Sequence, residues 1–191
     1  MCWSKLPMAR SAFSGQQPQL SSIVEHHRDL ESALRLYFSV AAPSFAVRFF
    51  AYSLMEVSSE LSERLREVDM TSSLAVLSAV EGAFRVGYLL RCYRRDKSPV
   101  SRAFREIYKE RREAVSLEED IFATWATESN APRRIIGEHR GAFRFRHWLA
   151  HGRYWTPKLG RRYDFEGLVT LAEIALSSFP LQGHRRSTQF V

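Results

Sequence analysis

Apolar residues recur every three to four positions along most of this chain, a spacing that predicts amphipathic helices and not strands. Prolines and capping residues divide the pattern into separate segments. The predicted helices cover residues 20–41, 43–68, 71–94, 100–114, 116–128, 130–151 and 165–178. No strand-like alternation and no internal repeat is evident. The pattern therefore predicts an all-α fold, a bundle of about five to seven helices.

The boundaries of these helices depend on a few residues. Asp69 and Thr71 offer caps for a new helix after residue 68. Ser116 and Glu119 have the spacing of a capping box. Asn130 is the predicted N-cap of the penultimate helix, and Asp164 that of the last one.

The helical pattern is confined to residues 20–180, and 191 residues suffice for one well-buried core. We therefore expect a single domain there. Residues 1–19 are rich in Ser, Gly, Gln and Pro and are predicted to form a flexible leader. Residues 181–191 are predicted to form a loose basic tail.

Composition narrows the class of protein. Hydrophobic residues make up 45% and charged residues 26%, as in ordinary globular domains. The sequence has neither an apolar run of about 18 residues nor the apolar core of a secretory signal, so it predicts no membrane partner. Cys2 and Cys92 form no CxxC pair, which argues against a disulfide framework or thiolate metal site and favours the cytoplasm.

The net charge of +7 is concentrated in the last third of the chain. Residues 1–131 hold 17 basic and 17 acidic residues, whereas residues 132–191 hold 11 basic and four acidic ones. A local positive field attracts polyanions such as nucleic acid. The alternative is a solvated basic surface with no partner.

Residues 143–155 lie within this basic region and carry the candidate chemistry. Arg146 is followed directly by His147, and His151 stands five residues after the arginine. A permanent cation beside groups that titrate near neutral pH suffices to cleave a phosphodiester without a metal.

Residues 146–152, Arg-His-Trp-Leu-Ala-His-Gly, resemble the signature of the HEPN superfamily. That signature is an arginine, usually followed by a polar residue, and a histidine four to six residues after the arginine. The resemblance implies a HEPN-like helical bundle, usually a homodimer, that acts as an endoribonuclease without metal or cofactor. Many members are toxins or antiviral defence effectors, often beside an antitoxin protein. Others have lost catalysis and bind RNA or nucleotides.

The position of the tyrosine after His151 departs from the pattern of one subgroup of that family. There the histidine is followed by one residue and then a tyrosine that an antitoxin modifies. In this chain His151, Gly152 and Arg153 precede Tyr154, which places the tyrosine one position late. Tyrosine modification is therefore not expected.

The spacing of the candidate residues raises a geometric question. On a regular helix Arg146 and His151 point about 140° apart, so one straight helix cannot direct both at one phosphate. Either the helix loosens at His151 and Gly152, or two copies form one composite active site across a two-fold axis. His147 and His151 are four residues apart and share a face.

These residues suggest a mechanism. We expect His151 to act as general base on the 2′-hydroxyl of RNA or as general acid on the leaving 5′-oxygen. Arg146 would stabilise the charged phosphorane, and His147 would orient the substrate or supply the second proton-transfer group. The products would be a 2′,3′-cyclic phosphate and a 5′-hydroxyl, which restricts the substrate to RNA.

Flanking residues are candidates for RNA binding. Basic side chains would contact phosphates and aromatic ones would stack on bases. The candidates are Arg144, Arg153, Lys158, Arg161 and Arg162 for phosphates, and Tyr154 and Trp155 for bases. The alternatives are that the two aromatic residues pack within the fold and that residues 161–162 form a solvated turn.

Two other pairs of residues have more than one interpretation. His147 and His151 have a spacing used for zinc, but no acidic residue lies between them and no thiolate cluster accompanies them. No metal site is therefore predicted. Glu81 and Arg85 are four residues apart on an apolar helix. They form either a structural ion pair or a pair in which Glu81 also orients Arg146 or a histidine.

Three hypotheses follow for the function. The first is a dimeric HEPN-like ribonuclease. The second is a non-catalytic module of the same fold that binds RNA or a nucleotide, or scaffolds a partner. The third is a helical interaction protein whose basic tail contacts an acidic partner.

Overall fold

The computed structural model describes residues 12–94 and 96–181. These residues form seven α-helices and no strand, which confirms the predicted all-α bundle. The helices are α1 (Leu20–Tyr37), α2 (Phe45–Arg48), α3 (Leu54–Tyr93), α4 (Pro99–Arg111), α5 (Ala123–Glu128), α6 (Arg133–Ala150) and α7 (Phe165–Ser178). A π-helical turn, Leu117–Phe122, leads into α5. Most of the predicted leader and nearly all of the predicted tail lie outside the described residues.

Helix α3 is the centre of the fold. It contains 40 residues, and α1, α4, α6 and α7 all pack against it. Its C-terminal half contributes Phe84 and Tyr88 to an aromatic core whose rings meet mainly edge to face, the geometry that ring quadrupoles favour. Phe84 packs against Phe122 and Phe179, and Tyr88 packs against Phe104. The Trp125 ring in turn packs against Phe104 and Phe179.

The predicted break at residues 69–71 is wrong, because α3 runs through it. The Asp69 carboxylate faces His27 of α1 at 3.6 Å and does not cap a new helix. The Thr71 hydroxyl donates to the Glu67 carbonyl at 3.0 Å, which satisfies it within a continuous helix. Side chains that could cap a helix are therefore satisfied within α3, one by a contact with α1 and the other by a hydrogen bond to the preceding turn.

Two other predicted boundaries are also wrong. A short helix, α2, does begin just after Pro43, but it ends at Arg48, and α3 begins only at Leu54, where Ser53 forms a capping box with Glu56. Helix α6 begins at Arg133 with Pro132 as N-cap, not at Asn130. A proline disfavours helical geometry at the residue that precedes it, here Ala131, so the helix starts only after Pro132. The predicted cap of α7 is confirmed, since Asp164 accepts from the Gly167 amide at 2.8 Å.

The first half of α3 projects away from this core. Of the buried residues of α3, Val57 alone precedes Ser72. His27 of α1 stacks on Phe165 of α7. After His27, α1 pairs with the first half of α3, and the two helices with the residues that connect them form a two-helix arm, residues 28–68. A separate small cluster of Phe38, Phe49 and Val57 closes its far end.

One helix in the described part of the chain, α3, is long and apolar enough to cross a membrane by length and composition. The central helix of a packed core meets the same criterion, and 44% of the relevant α3 window is buried within the fold.

A buried arginine ties the end of α3 to two other parts of the chain. Arg91 is 5% exposed and its Nη1 donates to Asp96 and Ser101, each at 3.2 Å. Its Nη2 donates to the Pro180 carbonyl at 2.7 Å, and the guanidinium lies 5.0 Å from the centroid of the Trp125 ring. The network joins α3, the start of α4 and the segment after α7.

Replacing Arg91 with Ala should lower the free energy of unfolding by about 3–5 kcal/mol, because Asp96 and the Pro180 carbonyl lose a buried partner. Urea denaturation followed by circular dichroism measures this loss. The control is Lys109→Ala, which removes an exposed ion pair with Glu106 and should cost less than about 1 kcal/mol. Equal losses in the two variants would contradict a structural role for the network.

His139 is a second polar residue in the core. It is 1% exposed, its Nδ1 lies 2.7 Å from the Ile135 carbonyl, and its ring meets the rings of Phe84 and Phe122. Burial lowers the pKa of His139 below its ordinary value of 6.5. The folded protein therefore holds this imidazole in its neutral form.

This lowered pKa predicts acid sensitivity. Below about pH 6.5 the unfolded chain binds a proton at His139 that the folded chain does not, so stability falls as pH falls until the folded form also protonates. The His139 contribution has a slope of at most about 1.4 kcal/mol per pH unit. His139→Leu should flatten urea-derived stability between about pH 5 and pH 6.5. His26→Leu, at an exposed position of α1, should leave the slope unchanged.

Candidate functional site

An open pocket of about 640 Å³ lies where α3, α6, the π-turn and the segment after α6 meet. Arg146 and His147 line it from α6. The remaining lining residues are Glu81, Ser116, Leu117, Glu118, Glu119, Phe143, Arg144, Trp155, Pro157, Lys158 and Leu159. Part of the sequence-predicted site is therefore brought together within one chain.

Glu81 holds Arg146 at the wall of the pocket. Its Oε2 lies 3.0 Å from Nη2 of Arg146, and its Oε1 accepts from Nε of Arg85 at 2.7 Å. Arg85 in turn donates to the Val115 carbonyl at 3.1 Å. The Glu81 side chain is 16% exposed and that of Arg146 33% exposed. Both contacts considered for Glu81, the ion pair with Arg85 and the contact with Arg146, are present.

Helix α6 ends beside the two histidines. Ala150 is its last residue, and the His151 amide donates to the His147 carbonyl at 3.1 Å. Gly152 follows with φ of 81°, the left-handed geometry that favours glycine after a helix. The rings of His147 and His151 are 4.2 Å apart between centroids. His147 lines the pocket, whereas His151 is exposed next to it.

The turn after His151 is anchored to α3. Arg153 has a φ of 58°, which is unfavourable for a residue with a side chain. Its guanidinium forms two hydrogen bonds with the Glu67 carboxylate, at 2.7 Å and 3.0 Å. Arg153, predicted to bind RNA, is therefore paired with a carboxylate outside the pocket lining and holds the turn that carries His151.

The other predicted RNA-binding residues divide into two groups. Arg144 and Lys158 are exposed and line the pocket. Tyr154 is 84% exposed and lies outside the lining, as do the exposed Arg161 and Arg162. The Arg161 guanidinium lies over the ring of Tyr163, 4.8 Å from its centroid.

Trp155 connects the pocket to α6. It lines the pocket, its ring lies 5.8 Å from that of His147, and its carbonyl accepts from Nε1 of Trp148 at 2.6 Å. Trp155 therefore both contacts α6 and lines the pocket.

The wall opposite α6 was not predicted. The π-turn contributes Glu118 and Glu119, and Arg140 of α6 donates to the Glu118 carbonyl at 3.3 Å. The Ser116 hydroxyl accepts from the Glu119 amide at 3.2 Å, which is one half of the predicted capping box, but the Ser116 amide donates to the Asp120 carboxylate at 2.8 Å and not to Glu119. π-Helical turns are rare in proteins, and those that occur often lie at functional sites. The cap was readable from the sequence, but nothing local placed it opposite Arg146.

These carboxylates make the pocket mixed in charge. Glu81, Glu118 and Glu119 share it with Arg144, Arg146 and Lys158. An anion that enters the pocket is attracted by the three basic side chains and repelled by the three carboxylates. The carboxylates therefore weaken the attraction of the pocket for polyanions.

The described residues contain no group of three or more His, Cys, Asp or Glu side chains arranged to hold a metal ion. His147 and His151 are adjacent but have no third ligand of these types among the described residues. Burial raises the pKa of the Cys92 thiol to about 12.

Comparisons of this chain with protein-family models, with characterised proteins and with solved structures found no significant match.

Gly141 of α6 and Tyr163, in the segment after α6, approach each other closely. The Tyr163 ring stacks on Phe145, 5.5 Å between centroids, and a methyl group at position 141 would overlap the Tyr163 hydroxyl. Burial raises the pKa of Tyr163, so this hydroxyl stays protonated at neutral pH. Tyr163 thereby fixes the end of the segment that contains Lys158.

Gly141→Ala should lower the free energy of unfolding by about 1–3 kcal/mol, because the new methyl group displaces Tyr163. In the Tyr163→Phe background the same change should instead raise stability by up to about 1 kcal/mol, since alanine is the better helix former. Urea denaturation of the four proteins in a double-mutant cycle gives both values. A stabilising Gly141→Ala in the wild-type background would contradict the close approach.

Proposed function

We propose that this protein is a metal-independent endoribonuclease that cleaves RNA at the pocket beside α6. The observation that carries the proposal is one pocket in which Arg146, held by Glu81, adjoins a pair of contacting imidazoles, His147 and His151. Metal-free transesterification of RNA needs these groups: a permanent cation and two groups that accept and donate protons near neutral pH.

The proposed reaction is an attack of the RNA 2′-oxygen on the adjacent phosphorus. One neutral imidazole takes the proton of the 2′-hydroxyl while the new P–O bond forms. One protonated imidazole gives a proton to the 5′-oxygen as its bond to phosphorus breaks. His151 is the proposed base or acid, and His147 is the second proton-transfer group or orients the substrate. The products are a 2′,3′-cyclic phosphate and a 5′-hydroxyl.

The contact between the two rings constrains this proposal. At 4.2 Å between centroids no phosphate fits between the imidazoles, so the scissile phosphate lies beside the pair, on the pocket side of His147. His151 lies after the last turn of α6 and is exposed. A small rotation of this side chain suffices to bring it to the same phosphate.

Arg146 is the proposed electrostatic catalyst. Its contact with Glu81 occupies one amino group of the guanidinium and leaves other donors for the phosphorane oxygens. Glu81 acts as a positioning residue, because it fixes a long side chain that would otherwise lose entropy on binding RNA.

The remaining walls suit a nucleotide strand. Arg144 and Lys158 are placed to contact neighbouring phosphates, and Trp155 is placed to stack on a base. Glu118 and Glu119 repel phosphates but accept hydrogen bonds from the amino groups of bases. We therefore propose that the backbone follows the α6 wall and that a base faces the π-turn.

The biological setting is proposed from the resemblance alone. A HEPN-like enzyme of this kind would act in the cytoplasm as a toxin or antiviral defence effector, as a homodimer with a composite active site and with an antitoxin protein as partner. The rings of His147 and His151 are in contact within one chain, as their spacing of four residues on one helix face favours. The second copy would then complete the cleft around an already assembled pair.

A second candidate function is a non-catalytic module of the same fold that binds RNA or a nucleotide and scaffolds a partner. The observation that favours it is the carboxylate content of the pocket, where Glu81 partly neutralises Arg146 and two more glutamates lie opposite. This module would bind RNA through Arg144 and Lys158 without cleaving it.

The decisive experiment is cleavage of RNA by the purified protein in EDTA, with analysis of the product ends. The wild type should release 2′,3′-cyclic phosphates. His151→Ala should slow cleavage by about 10²–10⁴-fold, and Arg146→Ala by about 10²–10³-fold. Glu81→Gln should reduce the rate less while RNA affinity at low salt is retained.

Matched controls separate catalysis from binding and folding. His26→Ala removes an exposed histidine on α1 and should cleave like the wild type. An equal mixture of Arg146→Ala and His151→Ala should recover about a quarter of wild-type activity if two chains share each site, and none if each chain acts alone. RNA binding with no cleavage by the wild type would reject the enzyme and favour the binding module.

A further inference from the structure

The far end of the arm exposes an unusual number of large apolar side chains. Phe50 is 90% exposed, Val47 83% and Met55 81%. The other members of this surface, which we term the arm tip, are Leu36, Tyr37, Val40, Tyr52 and Leu54. Together they expose on the order of 1,000 Å² of largely apolar surface, since a fully exposed aromatic side chain contributes about 150–250 Å².

The arm tip contrasts with the rest of the described surface. Elsewhere large apolar residues are exposed singly: Phe13, Leu30, Tyr154 and Ile174. Isolated exposed residues are ordinary, but a contiguous apolar surface of this size marks an interaction site. Of these four, Leu30 lies on the arm itself, in α1.

The composition of the tip resembles a protein interface. Residues 32–55 contain no acidic residue, and their charged residues are Arg35 and Arg48. Arg35 is paired with Glu31, and the Arg48 guanidinium lies over the ring of Tyr37 at 3.8 Å from its centroid. Tyrosine, phenylalanine, methionine and arginine are enriched in the buried centre of interfaces, whereas lysine and acidic residues are depleted there.

We propose that the arm tip binds the same surface of a second copy of this chain. A standard stable interface takes about 800 Å² from each partner, and the tip exposes enough surface to meet that requirement. The other exposed large apolar residues of the described part of the chain are isolated, which favours the tip of a second copy as the complement of the tip. A two-fold contact of this kind is the commonest symmetry of homodimers.

The arm also has the form of half a helical bundle. A single pair of helices buries one stripe and leaves the other faces open, as shown by the half-buried Leu34, Leu61, Leu65 and Val68. Two such arms packed together would make a four-helix bundle around the aromatic residues at the tip. This arm–arm contact goes beyond the proposed ribonuclease activity and is separate from the homodimer proposed at the pocket, because the tip is about 40 Å along α3 from Glu81.

A lipid surface fits the same tip less well. Glu56, Glu60 and Glu63 lie directly behind it on α3, and they would face the negatively charged headgroups of an anionic membrane. In an arm–arm dimer these carboxylates lie at the solvated rim.

The test is the mass of the full-length protein by sedimentation equilibrium at micromolar concentrations. The wild type should have at least twice the 22.1 kDa of one chain, and four times that mass if the arm–arm contact joins two of the homodimers proposed at the pocket. Val47→Glu with Phe50→Glu should raise the dimer Kd by at least about hundredfold, because four carboxylates would be buried at the contact. Tyr154→Glu places one such charge at a similarly exposed position away from the tip and should leave the arm–arm association unchanged.

Circular dichroism and urea denaturation should show both variants folded, because the changed side chains are exposed. A wild type that remains monomeric overturns the proposal. A double variant whose mass equals that of the wild type also overturns it, and assigns all self-association to another surface such as α6. A monomeric wild type that floats with phosphatidylcholine vesicles, while the double variant does not, overturns it in favour of lipid.

Discussion

The packing of helices around the C-terminal half of α3 is the constraint on which the rest of the molecule depends. Helices α1, α4, α6 and α7 each contact it, and its aromatic side chains fill the centre of the core. Because α6 is packed against this half of α3, Glu81 can reach Arg146 across the helix pair. Core packing thus fixes the helical part of the pocket, and the π-turn and the segment after α6 complete it.

Buried charge is used in two ways in this fold. Arg91 is enclosed by partners on three segments and has a structural role. The Glu81 carboxylate lies between two guanidiniums, one of which reaches the pocket wall. A carboxylate so placed reduces the freedom of Arg146 and also weakens its positive field. Both the proposed catalysis and the alternative binding function depend on the balance between these two effects.

The sequence predicted the fold class well because helical periodicity is a local signal with many repeats. It predicted boundaries less well. The capping potential of Asp69 and Thr71 is used by α1 and by the preceding turn, and no local pattern distinguishes that use from a helix start. Within the candidate site, Arg146, His147 and His151 were found because they are neighbours in the chain. Glu118 and Glu119 were missed because only tertiary packing brings the π-turn to α6.

The continuity of α3 has a further consequence. Between Leu54 and Glu81 it contains neither glycine nor proline, the residues at which helices bend sharply. The arm and the core therefore share one uninterrupted rod without a hinge. Whatever binds at the tip is therefore held at a fixed distance, about 40 Å along α3, from Glu81 at the pocket. The length of this helix, and not a flexible linker, determines the spacing between the two surfaces.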